Sequence, residues 1–250
     1  MVKNRDGKHI QAETIMNIAI ILASGLGKRM GAGKNKTLLS LGGKPLVFHA
    51  INNFQKSKII DQIILVVRED ERKVFQKIVE KYRLKKVSAI ISGGQERQHS
   101  AYNAVKFVGE NFAKTKDIIL LFHNGANPFV SQKEIDEVVA NAKKFGAAVV
   151  AHKTKDTIRR VKGNGLSVGV VDRADLWNMQ TPQAIKLPLA SKAFLQAEAD
   201  NFLGTDDVSL VERLGKKVQV VTASENNFKV TTPIDLDLAK IVLRKIINPS

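Results

Sequence analysis

Apolar and polar positions follow two rhythms along this chain. Short, nearly unbroken apolar runs at 18–22 (IAIIL), 63–67 (IILVV), 87–91 (VSAII), 118–122 (IILLF) and 147–151 (AAVVA) have the length and β-branched content of buried strands. A sixth strand is expected at 218–222, and 37–41 reads as a short strand before the turn Gly42-Gly43-Lys44-Pro45. Between these runs the apolar residues fall at helical spacing. Leu46, Ala50, Ile51 and Phe54 share one face. A charged amphipathic helix over 69–82 is expected to turn Val74, Phe75, Ile78 and Val79 inward. A helix ending near Val108 follows the third strand. Ser131, with Glu134 at the capping-box position, starts a helix through Lys144. Further helices are expected at 187–199, after a Thr205 or Asp206 cap, and at 234–246.

Strands alternating with helices at this spacing predict an α/β fold, a doubly wound, mostly parallel sheet with helices on both faces. Ligands of such sheets bind beyond the carboxyl ends of the strands. The polar loops after 18–22, 87–91 and 118–122 are therefore expected to converge on one crevice. The rhythm breaks at 154. Runs at 157–162 and 166–171 flank Gly163-Asn164-Gly165, which reads as a β-hairpin projecting from the body. With no repeat, linker or low-complexity segment, the expected organisation is a flexible extension over 1–16 and a single domain over 17–250, with a β-arm at about 153–175.

Composition narrows the function classes. The 250 residues are 44% hydrophobic, enough for a sizeable core. No apolar run approaches the ~20 residues of a membrane span, and the first residues lack the apolar centre of a secretory signal. A cytoplasmic protein without membrane contact is expected. The absence of cysteine excludes disulfides and thiolate metal sites. A net charge of +16 would suit nucleic acid, but the lysines are dispersed and aromatics are only 6%, little for a base-stacking platform. The expected partners are small anions, not nucleic acid. His49, His99 and His152 have no metal-ligand spacing. His123 reads as a loop support and Trp177 as core.

The chemistry concentrates where the first strand ends. Ala23, Ser24, Gly25, Leu26 and Gly27 are followed by Lys28, Arg29, Lys34 and Lys36. Small residues let backbone N–H groups approach phosphates, and the cations supply charge where phosphate charge develops. Two familiar phosphate loops are excluded. Gly33-Lys34 is followed by Asn35 rather than Ser or Thr, and Gly25-Leu26-Gly27 arrives at Met30 rather than glycine.

With this loop, Gly93-Gly94-x-Glu96-Arg97-x-x-Ser100, His123-x-x-Ala126-x-Pro128, Asp156-Thr157, Asp172-Arg173, Thr181-Pro182-Gln183, Thr205-Asp206-Asp207-x-Ser209 and Asn227-x-Lys229-Val230-Thr231 occur in order. From about Ile18 to Leu243 the chain resembles the methylerythritol-phosphate cytidylyltransferase family of sugar nucleotidyltransferases. The resemblance implies a Rossmann-like nucleotidyltransferase fold, and CMP transfer from CTP to 2-C-methyl-D-erythritol 4-phosphate with Mg²⁺ as cofactor. It implies Arg29, Lys36 and Lys229 as catalytic residues. Ala23, Ser24, Gly25, Leu26, Gly27, Lys28, Gly94, Gln95, Ser100, Asn124 and Gly125 would bind nucleotide. Thr157, Arg173, Thr205 and Lys229 would bind the acceptor phosphate, the first two across a homodimer joined by the β-arm. Asn124 and Asn226 stand at or near the places of the family's acidic metal residues, with Glu225 close by, and Asn127 stands where the family has Arg. Two alternatives stay open: the same transfer to ribitol phosphate, because that family shares the nucleotide loops, and a catalytically weakened nucleotide-binding homologue, which the departures suggest.

Overall fold

The computed structural model describes residues 15–25, 35–112 and 117–248. Four of the expected site residues, Leu26, Gly27, Lys28 and Arg29, lie outside the described residues, as do 1–14 of the expected extension.

Among the described residues the centre is a seven-stranded sheet, ordered β11-β7-β10-β6-β1-β4-β5. Its strands are β1 (Met16–Leu22), β4 (Gln62–Val67), β5 (Val87–Ser92), β6 (Ile118–Asn124), β7 (Ala147–Lys153), β10 (Trp177–Lys186) and β11 (Gln219–Thr222). Alternation along β1 explains its central place. Ala19 and Ile21 face one layer, packed on α1 (Leu46–Lys56), α2 (Arg72–Lys81) and α4 (Gln132–Phe145) through Ile51, Phe54, Phe75 and Val138. Ile18, Ile20 and Leu22 face the other, packed on α3 (Arg97–Phe112), α5 (Leu187–Ala199) and α6 (Asp207–Arg213) through Ala104, Phe194 and Val211. Both faces of the strand are dry, which is why its sequence is an unbroken apolar run. The doubly wound, mostly parallel sheet is therefore as expected. Ser131 caps α4 with the full reciprocal box to Glu134.

Four expectations are corrected. The segment 37–41 is not one strand: Lys36–Leu38 is a 3₁₀ turn, followed by β2 (Ser40–Leu41) paired with β3 (Lys44–Pro45). Asn35 causes this, because its Oδ1 accepts from the Thr37 backbone N–H and hydroxyl at 3.0 and 2.8 Å and winds the turn. Val74 points outward and is 44% exposed, while Phe75 and Ile78 fill the face of α2. Trp177 is only half-buried, at the root of the arm rather than in the core. Strand β10 was not foreseen. It enters antiparallel between β6 and β7, with a register break between Met179 and Gln183. Its outer half is polar and Pro182 interrupts it, so the pattern hides a strand whose inner residues, Thr181 to Ile185, are all buried.

The hairpin is present as β8 (Ile158–Val161) paired antiparallel with β9 (Ser167–Val171). Leu166 and Val170 stand 62% and 60% exposed on it. The last helix, α7 (Pro233–Ile247), carries Leu236 and Leu243 against a small cluster with Leu41, Phe129 and Val230. That cluster sets the path of residues 229–231 past the carboxyl edge of the sheet. No helix among the described residues is long and apolar enough to cross a membrane.

Candidate active site

A cavity of about 600 Å³ opens at the carboxyl edge of β1, β4, β5 and β6. Ser24 and Gly25 after β1, Arg68 after β4, Gly94 to Arg97 and Ser100 after β5, and Asn124 at the end of β6 all line it. Lys36 and Thr37 close one side, Lys229 and Thr231 another. The three loops expected to converge do so, and a fourth joins them through Arg68.

The loop after β5 is held against the ends of β4 and β1 by small contacts. Gly93 N–H donates to the Val67 carbonyl at 2.7 Å. The buried Ser100 hydroxyl accepts from Gly94 N–H at 3.0 Å and lies 2.9 Å from the Ser24 hydroxyl. A Cβ on Gly93 would fall 2.7 Å from Ser24 Cβ, and one on Gly94 2.4 Å from His99 Cβ. Glycine is thus required by close approach at both positions. Ala23 and Gly125 do not line the cavity. They tie neighbouring strand ends together instead, with Ala23 N–H on the Val66 carbonyl and Gly125 N–H on the Leu22 carbonyl, at 2.8 and 2.9 Å.

Among the described lining residues four are cationic, Lys36, Arg68, Arg97 and Lys229, against one acid, Glu96. Asn35 fixes the segment that carries Lys36: its Nδ2 donates to the Ala23 carbonyl at 2.6 Å and to Glu71 at 2.7 Å. Arg97 donates to both oxygens of Asp207, at 2.9 and 2.6 Å, and its Nε to Asn124 Oδ1 at 3.3 Å. Burial alone would lower the Arg97 pKa. The charge and hydrogen bonds of Asp207, with the charge of Asp206, together outweigh it and raise it, so the guanidinium is permanently charged. Arg68 is held by Asp70 at 2.5 Å.

Beneath Asn124 runs a chain of neutral amides. Asn124 Nδ2 reaches Asn127 Oδ1 at 3.3 Å, and Asn127 Nδ2 reaches Asn227 Oδ1 at 3.3 Å. The buried Asn227 donates to the Thr181 carbonyl at 2.9 Å and to Glu134 at 3.1 Å. His123 sits below them, fully buried between the Asn127 carbonyl at 2.9 Å and the Thr181 hydroxyl at 3.0 Å. Burial pulls its pKa down to about 4, so it is a neutral loop support, as expected.

These residues do not fit a protein-held metal. The one oxygen of the Asn124 side chain faces the Arg97 guanidinium, which repels a cation. Asn226 is exposed and does not line the cavity. Glu225 is ion-paired with Lys155 at 2.5 Å. No group of three or more His, Asp or Glu side chains among the described residues is placed to hold an ion. The expectation that Asn124 and Asn226 ligate Mg²⁺ gains no support from that geometry.

Residues 17–245 match the family model described as IspD, 2-C-methyl-D-erythritol 4-phosphate cytidylyltransferase. The cytidylyltransferase of that name from Geobacillus kaustophilus is 45% identical over 226 residues, covering 90% of this chain and 96% of that protein. Its namesake from Bacillus mycoides is 45% identical over 229 residues, covering 91% and 98%. This chain belongs to the IspD family. It is accordingly a cytidylyltransferase, a class of nucleotidyltransferase. Crystal structures agree: the 4-diphosphocytidyl-2C-methyl-D-erythritol synthase of Anaerococcus prevotii superposes with a TM-score of 0.80 at 27% identity, covering 92% of this chain and 97% of that one. The Francisella tularensis IspD structure superposes with a TM-score of 0.75 at 27% identity, covering 90% and 99%.

Within this IspD chain the expected residues separate into groups. Lys36, Lys229, Ser24, Gly25, Gly94, Gln95, Ser100 and Asn124 line one cavity. Thr157 and Arg173 are exposed on the arm and do not line it, and Arg173 donates to the Lys155 carbonyl rather than to Asp172 or Asp175. Thr205 is exposed on the loop before α6 and caps nothing. Asp206 caps that helix, accepting from Ser209 N–H at 3.0 Å. Arg68, Asn35 and Thr37 were missed. Arg68 was legible in principle, since it directly follows an expected strand whose carboxyl end had to face the same crevice.

Proposed function

We propose that this chain transfers CMP from CTP to 2-C-methyl-D-erythritol 4-phosphate. A phosphate oxygen of the acceptor attacks the α-phosphorus, the bond to the bridging oxygen of the β-phosphate breaks, and pyrophosphate leaves. The acceptor phosphate is already anionic near neutral pH, so no general base is required. Catalysis rests on positioning and charge neutralisation. The observation that carries this reading is the cation-rich cavity beside a glycine-fixed loop. Gly94, Gln95 and Ser100 read the base, and Lys36 and Lys229, with Arg29 and Lys28, meet the phosphates.

Thr205 and Lys229 hold the acceptor phosphate from within the subunit. Thr157 and Arg173 do so across a homodimer, whose contact is the exposed β8–β9 arm. The apolar residues exposed on that arm support the dimer. A monomeric mass at micromolar concentration would remove it.

The deciding experiment is pyrophosphate release from CTP with each of two acceptors, methylerythritol phosphate and ribitol phosphate, with Lys36→Ala as control. Faster turnover of methylerythritol phosphate, abolished by the substitution, is expected. Faster turnover of ribitol phosphate would overturn the acceptor assignment, and CTP binding without release would mark a binding-only homologue.

A further inference from the structure

The first turn of α3 serves two sides at once. Ser100 faces the nucleotide loop. Gln98, two residues earlier and so about 200° around the helix, faces the segment between α5 and α6. Its Nε2 donates to the Phe202 carbonyl at 2.8 Å, and its Oε1 accepts from Gly204 N–H at 2.8 Å. One carboxamide closes both bonds, on the residues just before Thr205. Gln183 of β10 clamps the other side: its Oε1 accepts from Asp207 and Val208 N–H at 2.9 and 3.1 Å, and its Nε2 donates to Asp206 at 2.9 Å. Thr205 is therefore the exposed crest of a short loop gripped by a glutamine at each end. The grip is tight, because a Cβ on Gly204 would lie 2.6 Å from the Ser209 hydroxyl and 2.8 Å from Leu210. Arg97 adds a strut from the same turn of α3 to Asp207.

We propose that Gln98 is a positioning residue that couples the nucleotide-reading loop to the acceptor site, by fixing the height of Thr205 relative to the first turn of α3. It touches neither substrate. Its two bonds make the turn that carries Ser100 and the loop that carries Thr205 one rigid unit, so the distance between bound CTP and the acceptor phosphate is set before either binds. This rests on the reading of Thr205 as a contact to the acceptor phosphate.

The test compares Gln98→Ala, Gln98→Glu and Thr205→Val in steady-state kinetics and in amide hydrogen exchange at residues 203–206. Losing two ordinary hydrogen bonds in Gln98→Ala should raise the acceptor KM about ten-fold, with the CTP KM within about two-fold, and should speed exchange at Gly204. Gln98→Glu keeps the acceptor for Gly204 but sets a carboxylate oxygen against the Phe202 carbonyl, so a rise at least as large as in Gln98→Ala is expected. A merely structural defect would move both KM values and kcat together, and that result overturns the proposal. Unchanged exchange at Gly204 overturns the clamp itself. Faster exchange with an unmoved acceptor KM overturns the coupling. Thr205→Val then tells the two failures apart: if it raises the acceptor KM, the acceptor reading of Thr205 survives without Gln98, and if it does not, that reading falls as well.

Discussion

The Arg97 guanidinium, about a third exposed, grips both oxygens of Asp207, which is 1% exposed. The two ends of this bond are unequal. Removing the arginine strands a carboxylate with no route to water, whereas removing the carboxylate leaves a guanidinium that still reaches the cavity. Arg97→Met should cost about 3 kcal/mol or more in urea unfolding, and Asp207→Asn distinctly less. If Asp207→Asn were the more damaging, burial of the carboxylate would not be what makes the pair matter.

Gly93 packs close against the β1 loop, where an added Cβ would lie 2.7 Å from Ser24 Cβ. Gly93→Ala should cost about 1–3 kcal/mol or move the loop off Ser24, and CTP affinity measured by calorimetry should fall about ten-fold in consequence. Gly163→Ala, at the tip of the arm with nothing within 4 Å of a new Cβ, is the matched control and should leave affinity unchanged. Equal effects would disconnect the loss from the close approach.

Acid should loosen the molecule through His123. Its pKa is about 4 when folded against 6.5 when unfolded. Between those values the unfolded chain binds the proton and the folded chain does not. The histidine's contribution is complete above pH 6.5 and is lost as pH falls toward 4. The full loss is on the order of 3 kcal/mol. Urea midpoints measured from pH 7 to pH 4.5 should fall steeply in the native chain and less so in His123→Gln. Parallel curves would place the acid sensitivity elsewhere.

The orientation of Asn124 makes a statement about metal. Mn²⁺ followed by its electron spin resonance signal should stay free when mixed with the protein alone and become bound only when CTP is added. Asn124→Asp, which sets a carboxylate beside Arg97, should tighten the nucleotide-dependent binding. Stoichiometric Mn²⁺ uptake by the native protein without CTP would contradict the geometry at Arg97.

The sheet was legible wherever both faces of a strand are buried, because β1, β4 and β6 then spell themselves as apolar runs. β10 was not, since half of it is solvent-facing and a proline divides it. The turn at 36–38 was hidden for another reason: Asn35 decides it through its own side chain, which outweighs the strand-like residues that follow. In the site, loops could be assigned from topology, since every strand of the central sheet but β10 runs to the same edge. What sequence could not supply were bonds closed over long separations. Gln98 on Gly204 and Arg97 on Asp207 join residues more than a hundred positions apart, and no local pattern announces them. Thr205, Thr157 and Arg173 were singled out by resemblance alone.

Strand β10 has a mechanical meaning. Trp177 to Met179 pair only with β7, while Gln183 to Ile185 are held by β6 and β7 together. The same strand is thus soft where it leaves the arm and stiff where it enters the sheet, and free energies of local opening must differ accordingly along it. The boundary falls at Gln180 and Thr181, whose side chains bond Asn127 and His123. A tug on the hairpin travels along β10 only as far as that seam before a second neighbour absorbs it. The amides under the cavity are therefore the place where motion of the arm would first be felt as a change of shape inside the molecule.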